Sequence, residues 1–242
     1  MADWAELSDA YGSADDVPAL LDRFEADPRG VWSELMDRLC PMLDTAFSAS
    51  FAALPRLADI AAGREPDERH WALFAAGPIV ACARRSAEGV AARDVYASQI
   101  AELLRLTEEC LRLPMDMQAY VGLLQAALAF EGVAVWDERL DNLAQGEYEV
   151  DCPYCGVNLF VVMGEDGFFS CSNDYALGQV ERTPLRPAAP AELEGLAGRL
   201  REQTLADRQS ALAQRLPYLF GQAECADCGT VFSVADRVAV MG

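Results

Sequence analysis

Two short strings constrain this chain more than anything else in it: Asp151-Cys152-Pro153-Tyr154-Cys155-Gly156 and Glu224-Cys225-Ala226-Asp227-Cys228-Gly229. In each, two cysteines separated by two residues can reach one metal ion from a single tight turn. The glycine that follows can take a positive φ, which lets backbone N–H groups point at the sulfurs. Two such turns supply four thiolates in tetrahedral array, a closed shell with no position left for water or substrate. The spacing therefore predicts a structural Zn²⁺ held by Cys152, Cys155, Cys225 and Cys228. Roughly 70 residues separate the two turns, so the segment between them must be an insertion whose ends return to the metal. Zinc would replace part of the core that so small a β unit cannot build alone.

Two other readings of these cysteines compete with the metal. A thioredoxin-type CxxC normally opens a helix after a strand, whereas Gly156 leads into a β-rich run. Cys171 could lie near the first turn as a rival ligand, and it is read instead as a buried core thiol. Cys40, Cys82 and Cys110 fall singly on apolar helical faces, where core packing is the expected role.

Before Gly146 the pattern is helical throughout, with apolar residues at helical spacing and breaks at Asp27-Pro28-Arg29-Gly30, Gly63-Arg64-Glu65-Pro66 and Pro114. Trp4, Leu7 and Tyr11 begin a stripe. Val17, Leu20, Leu21 and Phe24 continue it behind a cap at Asp15 or Asp16, with Pro18 in the first turn. A helix from Asp67 to about Ser86 contains a Gly77-Pro78 irregularity, and Val95 to Leu111 reads as one long helix. The run from Met115 to Phe130 is apolar enough to be central. Helices of about 12 to 20 residues joined by short breaks suit an α-solenoid or an irregular bundle.

After Gly146 the texture changes. Glu147–Val150 alternates as a strand does, Val157–Met163 is β-rich, and Gly164-Glu165-Asp166-Gly167 is a turn into Phe168-Phe169. One helix is expected over 191–216 and a last short strand over Thr230–Val234. The predicted fold class is mainly α: a helical array over 1–146, then a small α+β zinc-ribbon-like module over 147–242 with the 191–216 helix inserted.

Charge restricts the partners. The chain has 242 residues, a formal charge of −20 and a pI near 4.3, and every one of its 19 basic residues is Arg. A field this negative repels DNA, RNA and anionic lipid, because nucleic-acid binding needs cations that release phosphate counterions. Residues 147–242 also carry more acids than arginines, which argues against nucleic-acid recognition through the zinc module. A protein with a basic surface is the partner the charge favours. From Asp3 to Glu68 there are fifteen acids against five arginines, an excess that could line one surface or merely cover solvent faces. No apolar run approaches the roughly 20 residues of a membrane span. The acidic start, Met1-Ala2-Asp3-Trp4-Ala5-Glu6, does not resemble a secretory signal, so a cytoplasmic protein is expected.

Catalytic signatures are missing from the sequence. There is no GxSxG elbow, Walker loop, GxGxxG after a strand or HExxH. The single histidine, His70, sits beside Trp71 at a predicted helix start, where a local hydrogen bond is the ordinary role. Asp15/Asp16, Glu108/Glu109 and Asp137/Glu138 are adjacent pairs whose side chains splay apart on a helix, and they read as caps or solvated faces.

Three stretches resemble an actinobacterial group of HEAT-like repeat proteins. They are Trp4–Leu7 with Ala10–Leu21, Ala46–Pro55, and Leu219–Cys225 with its knuckle. The resemblance covers about half the chain and implies helical repeats plus a metal knuckle, without a reaction. The group shows a His-Gln-Gly-like element where this chain has Pro41-Met42-Leu43, so no role tied to that element carries over.

The expectation is therefore a non-enzymatic adaptor, regulator or immunity-type protein that binds a basic partner. The alternatives are a nucleic-acid-binding regulator acting through the zinc module and an enzyme with an unrecognised pocket in the helical domain.

Overall fold

A computed structural model describes residues 3–240. It is mostly helical, with three small antiparallel sheets. The chain divides into two compact units. The first runs to Met115 and takes in Ala119–Glu138; the second takes in Asp116–Gln118 and the chain from Arg139 onward. The change of texture at Gly146 thus marks a helix-to-strand junction rather than the division between the units. Among the described residues, no helix is long and apolar enough to cross a membrane.

The first unit does not begin as the helix expected from Trp4, Leu7 and Tyr11. A 3₁₀ turn at Trp4–Glu6 is followed by a two-residue hairpin, β1 (Ser8–Asp9) against β2 (Gly12–Ser13). Tyr11 is 71 % exposed at its tip. Asp9 overrides the helical pattern: its buried carboxylate accepts from Tyr11 N at 2.8 Å and from Arg38 Nη1 at 2.6 Å, which closes the turn. Asp, Gly and Ser hold such turns better than they hold helices.

Helices α1 (Val17–Ala26), α2 (Pro28–Leu39), α3 (Ser48–Ala52), α4 (Leu54–Ala62), α5 (His70–Cys82), α6 (Ala87–Val95), α7 (Ala97–Leu111) and α8 (Met117–Glu131) then build the unit. Pro18 lies in the first turn of α1 as expected, but Asp16 at its N-cap makes no side-chain capping bond; it is Asp27 that caps the next helix, accepting from Gly30 N at 3.0 Å. The long helix expected over Val95 to Leu111 is α7, which starts at Ala97 because α6 ends at Val95 and Tyr96 lies between them. Helix α5 accepts Pro78 internally and is buried nearly all round, from Ala72 to Cys82. Gly77 explains how it comes so close to α8: a Cβ there would stand 2.8 Å from Ala126 Cβ. Buried Tyr120, Leu123, Leu124 and Leu128 make α8 central, as its composition requires.

Two short helices, α9 (Trp136–Arg139) and α10 (Asp141–Gln145), lead to the sheet of the second unit. Strands β3 (Glu147–Asp151), β4 (Asn158–Gly164), β5 (Gly167–Cys171) and β6 (Thr183–Pro184) form an antiparallel meander. Val150, Leu159, Val161 and Phe169 are among its buried residues. The single helix expected over 191–216 is two helices, α11 (Gly195–Ala206) and α12 (Ser210–Leu219). Asp207-Arg208-Gln209 separates them, with Arg208 at φ +62°. The continuous leucine stripe concealed this break because the apolar spacing resumes on the far side of it. In α12, Arg215 Nη1 donates to the carbonyls of Leu143 and Ala144 at 2.7 and 2.9 Å and so caps the C-terminal turn of α10. Tyr218 of α12 stacks on Phe168 of β5 with ring centroids 4.1 Å apart. A second hairpin, β7 (Gln222–Glu224) with β8 (Val231–Ser233), joins the meander through paired backbone bonds between Gln222 and Arg186. Strand β8 lies within the strand expected over Thr230–Val234, and the chain then turns into α13 (Val234–Val240), a helix not expected from the sequence.

Candidate metal centre

Both CxxC strings are hairpin loops of the same construction. Residues 152–157 join β3 to β4, whose last pair is Asp151 with Asn158; residues 225–230 join β7 to β8, whose last pair is Glu224 with Val231. In the first loop Cys152 N donates to Val157 O at 2.8 Å and Gly156 N to Cys152 O at 3.0 Å. In the second, Cys225 N donates to Thr230 O and Gly229 N to Cys225 O, both at 2.9 Å. The closing glycines stand at φ +74° and +70°. That left-handed conformation is the reason each string needs glycine after its second cysteine.

The loops face each other with an approximate two-fold relation. The first cysteine of each is buried and the second exposed. Cys152 Sγ lies 3.7 Å from Cys228 Sγ and Cys155 Sγ 3.8 Å from Cys225 Sγ. All four sulfurs fall within 4.8 Å of one another. A tetrahedral ion with metal–sulfur bonds of about 2.3 Å has sulfur–sulfur edges of about 3.8 Å. The spacing and the all-thiolate donor set both fit a four-coordinate metal ion.

Neighbouring groups hold the loops and tune the sulfurs. Ser170 Oγ, fully buried, donates to Glu224 O at 2.7 Å and so anchors the residue before Cys225. Arg237 Nε donates to Asp151 O at 2.9 Å, fixing the residue before Cys152. Ser172 Oγ donates to Asp227 Oδ1 at 2.8 Å inside the second loop. Thr230 Oγ1 stands 3.2 Å from Cys228 Sγ, and hydrogen bonding there holds the Cys228 thiol down at about 6. Burial pushes Cys225 the other way, up to about 12. Cys228 is thus prepared to ionise at neutral pH by itself, whereas Cys225 would need a bound cation to do so. Thr230 and Ser170 carry no sequence signature; only the folded hairpins bring Thr230 to a sulfur and Ser170 to the carbonyl before Cys225.

The remaining cysteine and charge positions resolve differently. Cys171 is fully buried in a separate cluster with Val162 and Phe169, and its Sγ contacts Asn173 O at 3.3 Å. His70 Nδ1 lies 3.0 Å from Asp67 O, and its ring packs on Trp71 and Phe74. Asp15 and Asp16 are exposed, and Glu109 pairs with Arg69 at 2.8 Å. Asp137 is not the solvated residue its neighbourhood suggested. Its side chain is buried, Oδ2 lies 2.5 Å from Arg84 Nη1, and Oδ1 has no hydrogen-bond partner among the described residues. Desolvation pushes this carboxyl above its ordinary range against the opposing pull of Arg84.

Comparison with protein-family models, curated proteins and solved structures finds no match.

Proposed function

We propose that Cys152, Cys155, Cys225 and Cys228 hold one structural Zn²⁺ and that the chain is a non-enzymatic protein-binding module for a basic partner. The observation that carries the metal reading is the convergence of two identical knuckles, with paired sulfurs 3.7 and 3.8 Å apart. Four thiolates fill the coordination shell of a tetrahedral ion and leave no site for a reacting water. Zinc is favoured over iron because it needs no redox partner and is the usual ion of closed, structural Cys₄ sites, although sulfur tetrahedra accept either. On this reading the second unit is a zinc-ribbon-like module and the first a HEAT-like helical array.

Charge supports the partner. Of the fifteen acids between Asp3 and Glu68, fourteen are exposed and only Asp9 is buried. Among the five arginines of the same stretch, Arg23 pairs with Glu34, Arg38 with Asp9, and Arg56 with Asp22 and Glu25, all acids of that stretch. The exposed excess is therefore negative, which speeds encounter with a cationic protein surface and repels nucleic acid. Residues 147–242 carry fourteen acids against seven arginines, so the metal module has the same bias.

Two measurements test this. Elemental analysis of colourless purified protein is expected to find one equivalent of zinc, and a red iron-loaded product would replace the assignment. Affinity capture at low salt should recover a basic protein in stoichiometric amount that is released as ionic strength rises. Retention of RNA or DNA in its place would overturn the partner.

A further inference from the structure

Two more thiols meet in the first unit, and nothing about the metal centre explains them. Cys40 caps the C-terminal end of α2 and Cys82 is the last residue of α5, helices that pack together. Their sulfurs are 3.8 Å apart although 42 residues separate them. Both side chains are buried. No third metal-ligating side chain joins them among the described residues, since the only such group found is the four-cysteine centre.

The surroundings are those of a reactive pair. Arg85 Nη1 lies 3.6 Å from Cys82 Sγ, and the same guanidinium donates to Asp44 O and, through Nη2, to Glu138 Oε2 at 2.8 Å. Hydrogen bonding with Cys40 and the positive charge of Arg85 hold the Cys82 thiol below its ordinary pKa, against burial and the carboxylates of Glu138 and Asp44. Cys40 is pushed far upward. One thiol is thus prepared to ionise while its neighbour keeps its proton, the division of labour that attacking and resolving cysteines need.

A turn with two residues at positive φ directly follows Cys40. Pro41–Leu43 places Met42 at φ +53° and Leu43 at φ +61°, a region that residues with side chains avoid. Met42 is 90 % exposed, and the Leu43 carbonyl lies 3.8 Å from Cys82 Sγ. Both thiols are buried, so a peroxide reaches them only if this turn opens.

We propose that Cys40 and Cys82 are a redox-responsive dithiol, oxidised by hydrogen peroxide or a small organic peroxide. The Cys82 thiolate attacks the peroxide O–O bond, takes one oxygen as a sulfenic acid and expels the other as water or an alcohol after protonation. The Cys40 sulfur then displaces hydroxide from Cys82, the S–S bond forms, and the Cys40 proton leaves as water. Two thiols lose two electrons in total and the peroxide gains them.

The test uses the full-length, metal-loaded protein and hydrogen peroxide, followed by thiol blocking and non-reducing peptide mapping. The expected result is loss of alkylation at Cys40 and Cys82 together, with one peptide pair joining them, and recovery of both thiols with dithiothreitol. In Cys40→Ser, Cys82 should be trapped by dimedone; in Cys82→Ser, Cys40 should not. Arg85→Gln should slow disulfide formation about tenfold and Arg85→Lys should restore most of it. If both thiols of the wild-type protein stay alkylatable at a dose that fully oxidises glutathione, the proposal fails. It fails equally if the linkage appears only in urea-unfolded protein, and equal dimedone labelling of the two serine variants overturns the assigned roles.

Discussion

Cys152 and Cys228 stand 76 residues apart in the chain and 3.7 Å apart at their sulfurs. Each belongs to a different hairpin, and bonds from Ser170, Ser172 and Arg237 to residues beside the cysteines help hold the two loops. Four thiolates this close would repel one another, so ionising all four would call for a bound cation. Replacing either buried ligand, as Cys152→Ser or Cys225→Ser, is expected to reduce bound zinc from one equivalent to about a tenth or less and to unfold the second unit in part. Elemental analysis with circular dichroism checks this. Full metal retention in both variants would remove the centre from the account.

Thr230 supplies a pH-dependent prediction. Its hydroxyl favours the thiolate of Cys228, whose pKa it helps hold at about 6. Metal competes with protons for that sulfur, so a higher thiol pKa means metal is lost at a higher pH. Thr230→Val should weaken zinc binding about tenfold and move the midpoint of acid-induced zinc release upward, while Thr230→Ser should leave it nearly in place. A chelator-competition titration across pH reads the shift directly.

Ser170 joins the meander to the second knuckle by donating to Glu224 O. Ser170→Ala leaves that carbonyl without its partner in a buried setting and should cost about 1–2 kcal/mol. Urea denaturation of zinc-loaded protein measures it. An unchanged midpoint would mean that the knuckle is held by the metal alone.

Gly77 tests the packing of the helical unit. A methyl group at this position would sit 2.8 Å from Ala126 Cβ and 3.0 Å from its Cα. Helix propensity favours Ala over Gly by about 1 kcal/mol, yet overpacking costs about 1–3 kcal/mol. Gly77→Ala is therefore expected to lower the melting temperature, and Ala126→Gly in the same chain to recover part of the loss. A double-mutant cycle would show the coupling. Stabilisation by Gly77→Ala alone would mean that the helices are not so close.

Much of this architecture can be read from one dimension because the relevant signals are local. A CxxCG string dictates a tight turn with its glycine at positive φ, whatever surrounds it, and both knuckles have that form. Helical periodicity likewise locates α1, α5 and α8, since burying one face of a helix is a property of that segment. The same logic fails where a local pattern is satisfied by something other than its own period. Trp4, Leu7 and Tyr11 have helical spacing, but Asp9 finds Arg38 and makes a hairpin. The leucines from 193 to 216 keep their register across a break at Arg208.

Contacts between distant segments were decided only by the fold. The residue types at Cys40 and Cys82 say that each is buried, and nothing in either neighbourhood says that their sulfurs meet. Asp137 reads as one of two adjacent surface acids until Arg84 is packed over it. Ser170 is an ordinary strand residue until its hydroxyl reaches the Glu224 carbonyl, 54 positions away. Sequence determines which turns and helices are available, because torsional preference and amphipathicity act within a few residues. Tertiary structure determines which side chains become neighbours, because that depends on the simultaneous burial of every apolar face.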